Sequence, residues 1–126
     1  MVVVAVVAIL ASVAMPNYTA YVQRSKVPPA LDGLSSFATR MEQRYQDTGS
    51  YGSPACGATL PTVANFTITC TSSAAGQAYT ATADGSGTMA GFRYSINQTG
   101  TRTTLAHPKG VPAGSCWSTK GKVCDT

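Results

Sequence analysis

The residues with the clearest chemical potential in this chain are four cysteines. They are spaced as Cys56-x13-Cys70 and Cys116-x7-Cys124, with no C-x-x-C pair, and the only histidine, His107, precedes a proline. Zinc sites usually bring their ligands in close pairs, so we expect neither a metal nor another cofactor. Of the three possible pairings we favour Cys56–Cys70 and Cys116–Cys124, because each would close a local loop. Such disulfides are typical of an oxidising compartment.

Groups that could carry out catalysis are sparse. A Ser-His-Asp set would have to use His107, which lies in a Pro/Gly-rich stretch. The five carboxylates do not cluster, and no nucleophile elbow, Walker A or dinucleotide-binding glycine motif occurs. The sequence therefore predicts that this protein is not an enzyme.

The positive charge is concentrated in the last third of the chain. Residues 1–88 are neutral in sum, whereas residues 89–126 account for the whole formal charge of +4. Basic groups on a rigid loop beside an aromatic ring are typical of contacts to a nucleic-acid backbone. The candidate DNA-binding residues are Arg93, Arg102, Lys109, Trp117, Lys120 and Lys122. The alternative is a solvated basic surface, with Trp117 packed against the neighbouring disulfide.

The first fifteen residues are apolar except for Ser12. As a helix they would extend about 22 Å, which is less than the roughly 30 Å hydrocarbon core of a bilayer. A cleaved secretory signal, a buried core helix and a membrane anchor whose first residues are missing from this chain are the three interpretations. The first lacks a preceding basic residue. We favour the anchor, because a helix that is apolar on every face needs lipid or copies of itself around it.

Periodicity and breaker residues outline the elements that follow. Pro16 should break the apolar helix, and Val27-Pro28-Pro29 should interrupt it again. From Ala30 a helical stripe resumes and should end near Gly49. Its members are Leu31, Leu34, Phe37, Ala38, Met41 and Tyr45. The stripe predicts a helix that packs on a sheet.

Four short, threonine-rich segments with alternating polarity predict antiparallel strands over 66–71, 79–83, 92–97 and 101–105. Residues 97–100 should form a hairpin turn and residues 84–87 a second turn. The expected fold class is α+β, with a long N-terminal helix, kinked near Pro16 and Pro28, on a small antiparallel sheet.

The start of the chain resembles the N-terminal segment of type IV pilins. The residues that carry the resemblance are Pro16, Tyr18, Tyr21 and Arg24, which follow the apolar run at the family's spacing. In that family the mature protein begins slightly upstream with an N-methylated phenylalanine and has a glutamate early in the helix. This sequence contains neither.

The distal half is similar to minor pilins related to the DNA-uptake receptor of competent bacteria. Residues 91–97, 100–104 and 114–117 carry this second resemblance. Together the two resemblances imply an apolar segment, 1–26, that serves as membrane anchor and filament core, and a globular head, 27–126, with a disulfide-stapled C-terminal loop. The expected filament-core residues are Val2, Val3, Val4, Val6, Val7, Ile9, Leu10, Val13 and Pro16.

The resemblance implies a structural subunit, major or minor, of a type IV pilus used for adhesion, twitching motility or DNA uptake. Its partners would be copies of itself in a helical filament, the pilus assembly machinery, and the inner membrane before assembly. It would end on the extracellular pilus. The main alternative is a minor pilin that binds DNA as a receptor in natural transformation. A pseudopilin of type II secretion is a third possibility, but those proteins often carry calcium-binding carboxylates, and no such cluster is present.

Overall fold

A computed structural model describes residues 2–53 and 55–125, without the side chains of residues 11–20. One helix, α1 (Val2–Thr48), precedes four strands: β1 (Phe66–Ser72), β2 (Tyr79–Gly85), β3 (Arg93–Asn97) and β4 (Arg102–Ala106). The strands form one antiparallel sheet in the order β1-β2-β3-β4. The predicted α+β class is confirmed.

Helix α1 is interrupted neither at Pro16 nor at residues 27–29, so both predicted breaks are wrong. At the second of these positions, Val27 and Ala30 are both fully buried in the common core, and their burial holds the turn helical. Pro28 and Pro29 lie on the exposed side, where the carbonyls left without an amide donor can bond to water instead. Packing on one face therefore outweighs two missing hydrogen bonds on the other. Bends at Pro16 and Pro28 stay predictions.

The helical stripe that was expected to pack on the sheet does so. Leu34, Phe37 and Met41 are fully buried in the common core. The helix then ends where a glycine can adopt a positive φ. Gly49 has φ +76° and donates its amide to the carbonyl of Tyr45 at 2.8 Å.

The sheet has a core face and a threonine-rich outer face. Inward-pointing side chains alternate with outward-pointing ones on every strand. The buried inward set is Phe66, Ile68, Tyr79, Ala81, Ala83, Tyr94, Ile96 and Thr104. The hairpin turn at 97–100 is confirmed by a 3.0 Å bond from the Gly100 amide to the Asn97 carbonyl. The turn expected at 84–87 is displaced, because β2 runs to Gly85 and the chain reverses through a 3-10 turn, Gly87–Met89.

The two ends of the sheet contact different parts of α1. Gly85, Arg93 and Ala106 lie at one end, which we call the base. There Gln23 donates to the Thr88 carbonyl (3.3 Å) and the Lys26 ammonium to the Thr88 hydroxyl (3.1 Å). The opposite end, the top, carries Tyr79, whose ring packs on Phe37 and Tyr51. Residue numbers on α1 therefore rise from base to top, and its first residues project beyond the base.

Candidate functional site

The projecting part of α1 exposes an apolar surface. Its large side chains are between 49% and 78% exposed: Val2, Val3, Val4, Val6, Val7, Ile9 and Leu10. Val13 and Pro16, the other two candidate core residues, lie outside the described side chains. Contiguous exposed apolar surface of this kind marks a site of interaction with a partner or a membrane. Among the described residues, no helix holds an apolar stretch long enough to cross a membrane.

Two disulfides fix the loops of the head. Cys56 is bonded to Cys70, with 6.0 Å between their Cα atoms, and Cys116 to Cys124, with 5.8 Å. This is the pairing that the spacing favours. The first bond ties the connection between α1 and β1 to the sheet, and the second closes a C-terminal loop.

A buried serine organises the C-terminal loop from inside. The hydroxyl oxygen of Ser118 accepts hydrogen bonds from the amides of Lys120 (3.2 Å) and Gly121 (3.0 Å) and donates to the carbonyl of Val123. Ser118 is fully buried, so these bonds are shielded from water. Nothing in a serine-rich sequence distinguishes this residue, and sequence reasoning missed it.

The same loop is attached to the sheet by three side chains. The Tyr94 hydroxyl donates to the Ser118 carbonyl (2.7 Å), the Thr104 hydroxyl to the Cys116 carbonyl (2.8 Å), and the Trp117 indole to the Ser95 carbonyl (2.8 Å). Burial, followed by the charge of Asp125, raises the pKa of Tyr94 above its ordinary value. The loop is therefore a fixed platform on β3 and β4.

Trp117 and Arg102 meet in a cleft that none of the three predicted lysines lines. Trp117 is only 8% exposed, and the Arg102 guanidinium carbon lies 4.5 Å from the centre of its ring. Both line an open cleft of about 700 Å³ between α1 and the hairpin, together with Asp32 and Asp125. Because the Arg102 guanidinium lies over the indole of Trp117, that face of the ring is not available for a nucleotide base to stack on.

Three predicted lysines, Lys109, Lys120 and Lys122, lie together at the base because His107 joins the two loops that carry them. His107 accepts the Lys109 amide at Nδ1 (3.0 Å), so its Nε2 is the donor to the Thr119 carbonyl (3.1 Å). This bond ties the turn after β4 to the C-terminal loop.

Glycines allow the two loops to approach closely. A Cβ at Gly110 would lie 2.8 Å from Cε of Lys122, and one at Gly121 would lie 2.9 Å from Cβ of Lys109. Lys109, Lys120 and Lys122 are exposed on this combined surface.

Helix α1 adds two cations at the same end. Arg24 lines a small pocket with Phe92, His107 and Lys109, and Lys26 reaches Thr88. Sequence reasoning missed both, because it summed charge along the chain. We call Arg24, Lys26, Lys109, Lys120 and Lys122 the basal cluster.

The sixth cation at the base, Arg93, already forms an ion pair within the sheet. Its guanidinium pairs with Asp84 on the neighbouring strand, in the only ion pair among the described residues. The hydrogen bond to Asp84 raises the pKa of Arg93. Arg93 therefore lies near the basal cluster but is partly neutralised by Asp84.

Comparison with known proteins identifies related chains. Residues 16–104 match the protein family described as "Type IV minor pilin ComP, DNA uptake sequence receptor". The matched range includes Arg24, Lys26, strands β1 to β3 and the first part of β4, but it ends before Lys109 and the C-terminal loop. No curated protein matches the chain.

Two solved structures share the fold. A type IV pilin from Shewanella oneidensis superposes with a TM-score of 0.53 and 22% identity, covering 71% of this chain and 90% of that one. The non-core minor pilin PilV from Neisseria meningitidis gives a TM-score of 0.61 and 19% identity, covering 75% and 97%. Identities this low establish the fold alone, while the family match extends over well more than half of the sequence. This chain belongs to the type IV minor pilin family.

Proposed function

We propose that this protein is a subunit of a type IV pilus that assembles through its projecting helix. The observation that carries the proposal is the exposure of seven large apolar side chains, Val2 to Leu10, beyond the base. Burying a Val, Leu or Ile side chain is worth roughly 1.5–3 kcal/mol, so leaving all seven in water costs on the order of 10–20 kcal/mol before opposing terms. The entropy of association removes much of this gain.

The same helix would meet two apolar environments in turn. Before assembly, segment 1–26 is held in the inner membrane, and the head, 27–126, lies outside it. The assembly machinery then transfers the helix from lipid into a bundle of equivalent helices, with Val13 and Pro16 among the core positions. Because head-to-tail contacts between equivalent subunits do not close, the product is a helical filament on the cell surface.

The test compares a charge in the projecting helix with one on the head. Val7→Asp should reduce the amount of this chain in sheared pili by at least tenfold, because a carboxylate would be buried among apolar helices. Leu105→Asp is the matched control, since Leu105 is an exposed apolar residue of β4. Immunoblots of sheared pili and of membranes separate incorporation from insertion. Wild-type amounts of Val7→Asp in pili would overturn the proposal.

A second candidate function, binding of DNA, is favoured by the three lysines at the base and by the printed description of the matched family as a DNA uptake sequence receptor. Exposed lysines on two interlocked loops can follow a phosphate backbone, and each phosphate contact contributes about 0.9 to the slope of log K against log salt.

Salt-dependent binding to a DNA duplex tests this candidate. Replacing Lys109, Lys120 and Lys122 with Gln should lower the slope by about 3. The single variant Lys122→Gln should lower it by about 0.9, whereas Arg40→Gln, an equal charge change toward the top of α1, should leave it unchanged. Equal effects of Lys122→Gln and Arg40→Gln on the slope would indicate attraction to overall charge rather than a site at the base.

A further inference from the structure

We propose that the basal cluster binds the headgroups of anionic phospholipids while the projecting helix is in the membrane. The inference rests on the proposed membrane stage and names a partner for it. The cluster is Arg24, Lys26, Lys109, Lys120 and Lys122, on the end of the head from which the apolar helix leaves.

The length of α1 places these cations near the membrane surface. The apolar run ends at residue 15, and Arg24 follows nine residues later in an uninterrupted helix. At about 1.5 Å per residue, this separation is about 14 Å along the axis. A headgroup layer takes up roughly 5–7 Å on each side of the hydrocarbon. Arg24 then lies about 7–9 Å beyond the layer, which is close to the Debye length at physiological salt.

The distribution of carboxylates leaves the base positive. Asp84 is paired with Arg93, and Asp125 accepts hydrogen bonds from the Thr119 amide (2.9 Å) and hydroxyl (3.1 Å). The other acidic residues are Asp32, Glu42 and Asp47, all farther along α1 toward the top. The end of the head that would face the bilayer therefore carries an excess of cations, whereas basic and acidic residues alternate on the upper part of α1.

Anionic lipid matches this surface in charge and in shape. A bilayer surface is broad, and the cluster draws its cations from three separate chain segments at one end of the head: α1, the turn after β4, and the C-terminal loop. Attraction to an anionic leaflet is worth about a fivefold preference for each Lys or Arg at the surface, and it falls to about twofold for each cation one Debye length away. A further consequence is that DNA could reach the cluster only after the subunit leaves the membrane.

The experiment measures how the full chain distributes between two kinds of vesicle. The chain is delivered from mild detergent into a mixture of phosphatidylcholine vesicles and vesicles with about 30% phosphatidylglycerol, each kind carrying its own dye. We expect the chain to favour the anionic vesicles by tenfold or more. The triple variant Lys109→Gln/Lys120→Gln/Lys122→Gln should lose most of that preference, because these side chains are exposed and their removal does not disturb the core. Arg40→Gln should retain it.

The outcomes separate this inference from the proposed function. Strong uptake divided equally between the two vesicles, or a preference that survives in the triple variant, overturns the inference and leaves the filament proposal intact. Uptake by neither vesicle overturns the membrane stage and the inference together. A short DNA duplex is then added to the anionic vesicles. If it binds the inserted chain as tightly as it binds the chain in detergent, the cluster is not held at the headgroups and the inference fails.

Discussion

Single small residues control how closely the base of the head is packed. Gly85, the last residue of β2, lies directly beneath the chain reversal that follows it. A Cβ there would sit 1.8 Å from the carbonyl oxygen of Met89, a distance that no side-chain adjustment can relieve, because the contact is with backbone. Met89 is fully buried, so the reversal cannot move outward without opening the core.

We therefore expect Gly85→Ala to lower the free energy of unfolding by about 1–3 kcal/mol or more. The matched control is Gly114→Ala, at a position where an added Cβ meets nothing within 4 Å. That control should be neutral or stabilising by up to about 1 kcal/mol, because alanine reduces the entropy of the unfolded chain. Denaturant midpoints of the two variants provide the measurement, and equal midpoints would contradict the packing argument.

The sequence was sufficient for the disulfides but not for the cation site. Cysteine spacing indicates local loops, and local loops are what the bonds close. The contacts of Trp117 could not be predicted from spacing. Ser95 and Arg102 lie far from it in the sequence, and the pairing of β3 with β4 brings both of them to its ring. Arg24 was missed because the formal charge was summed over residues 1–88, where acidic residues that lie far from Arg24 in space cancel its positive charge.

At the scale of elements, periodicity located the helix stripe and all four strands to within two residues. The boundaries that failed are those decided by tertiary contacts. Gly85 continues β2 because its amide bonds to the Phe92 carbonyl at 2.8 Å, although its sequence neighbours are typical of a turn. Pro28 and Pro29 remain helical because the opposite face of that turn is buried, which no local rule anticipates.

The continuity of α1 gives a prediction for Pro29→Ala. Proline in a helix interior costs about 3 kcal/mol relative to alanine, partly offset by its restriction of the unfolded chain. Because Pro29 is exposed, the substitution restores an amide donor without disturbing the core. We expect it to stabilise the protein by about 1–2 kcal/mol.

Ser36→Ala, at another exposed position of α1, is the control and should change stability by no more than about 0.5 kcal/mol. Thermal unfolding in the same detergent compares the two variants. A fall in the midpoint for Pro29→Ala would show that proline is required at this turn.

At the scale of the whole molecule, tyrosines join the helix to the sheet. Tyr51 stacks on Tyr45 at 4.7 Å between ring centres and meets Tyr79 at 4.8 Å, while its hydroxyl donates to Glu42 at 3.1 Å. Burial raises the pKa of Tyr79 to about 12, and burial first, then the bond to Glu42, raises the pKa of Tyr51. Each raised pKa means that the folded state favours the neutral phenol.

These shifts predict loss of stability in alkali. Below pH 10, the ordinary tyrosine pKa, the tyrosines are neutral in both states and their contribution is fully present. Above it the unfolded chain ionises first, so stability should fall from about pH 10 to about pH 12, by up to about 1.4 kcal/mol per pH unit for each buried tyrosine.

The absorbance of tyrosinate, followed together with circular dichroism, tests this expectation. Tyr79→Phe should make the alkaline loss of stability less steep, whereas Tyr21→Phe, at a position 70% exposed, should not. Ionisation of Tyr51, Tyr79 and Tyr94 near pH 10 with no loss of structure would contradict it.

An unbroken α1 also determines how a pull on the molecule would be resisted. Tension applied to residues 2–10 travels along one helix into the head and reaches Val27, Leu34 and Met41 as shear. Side chains loaded in shear must slide together rather than separate one at a time. The Cys56–Cys70 bond limits how far the helix and the sheet can separate. We therefore expect the head to unfold only at high force and in a single step.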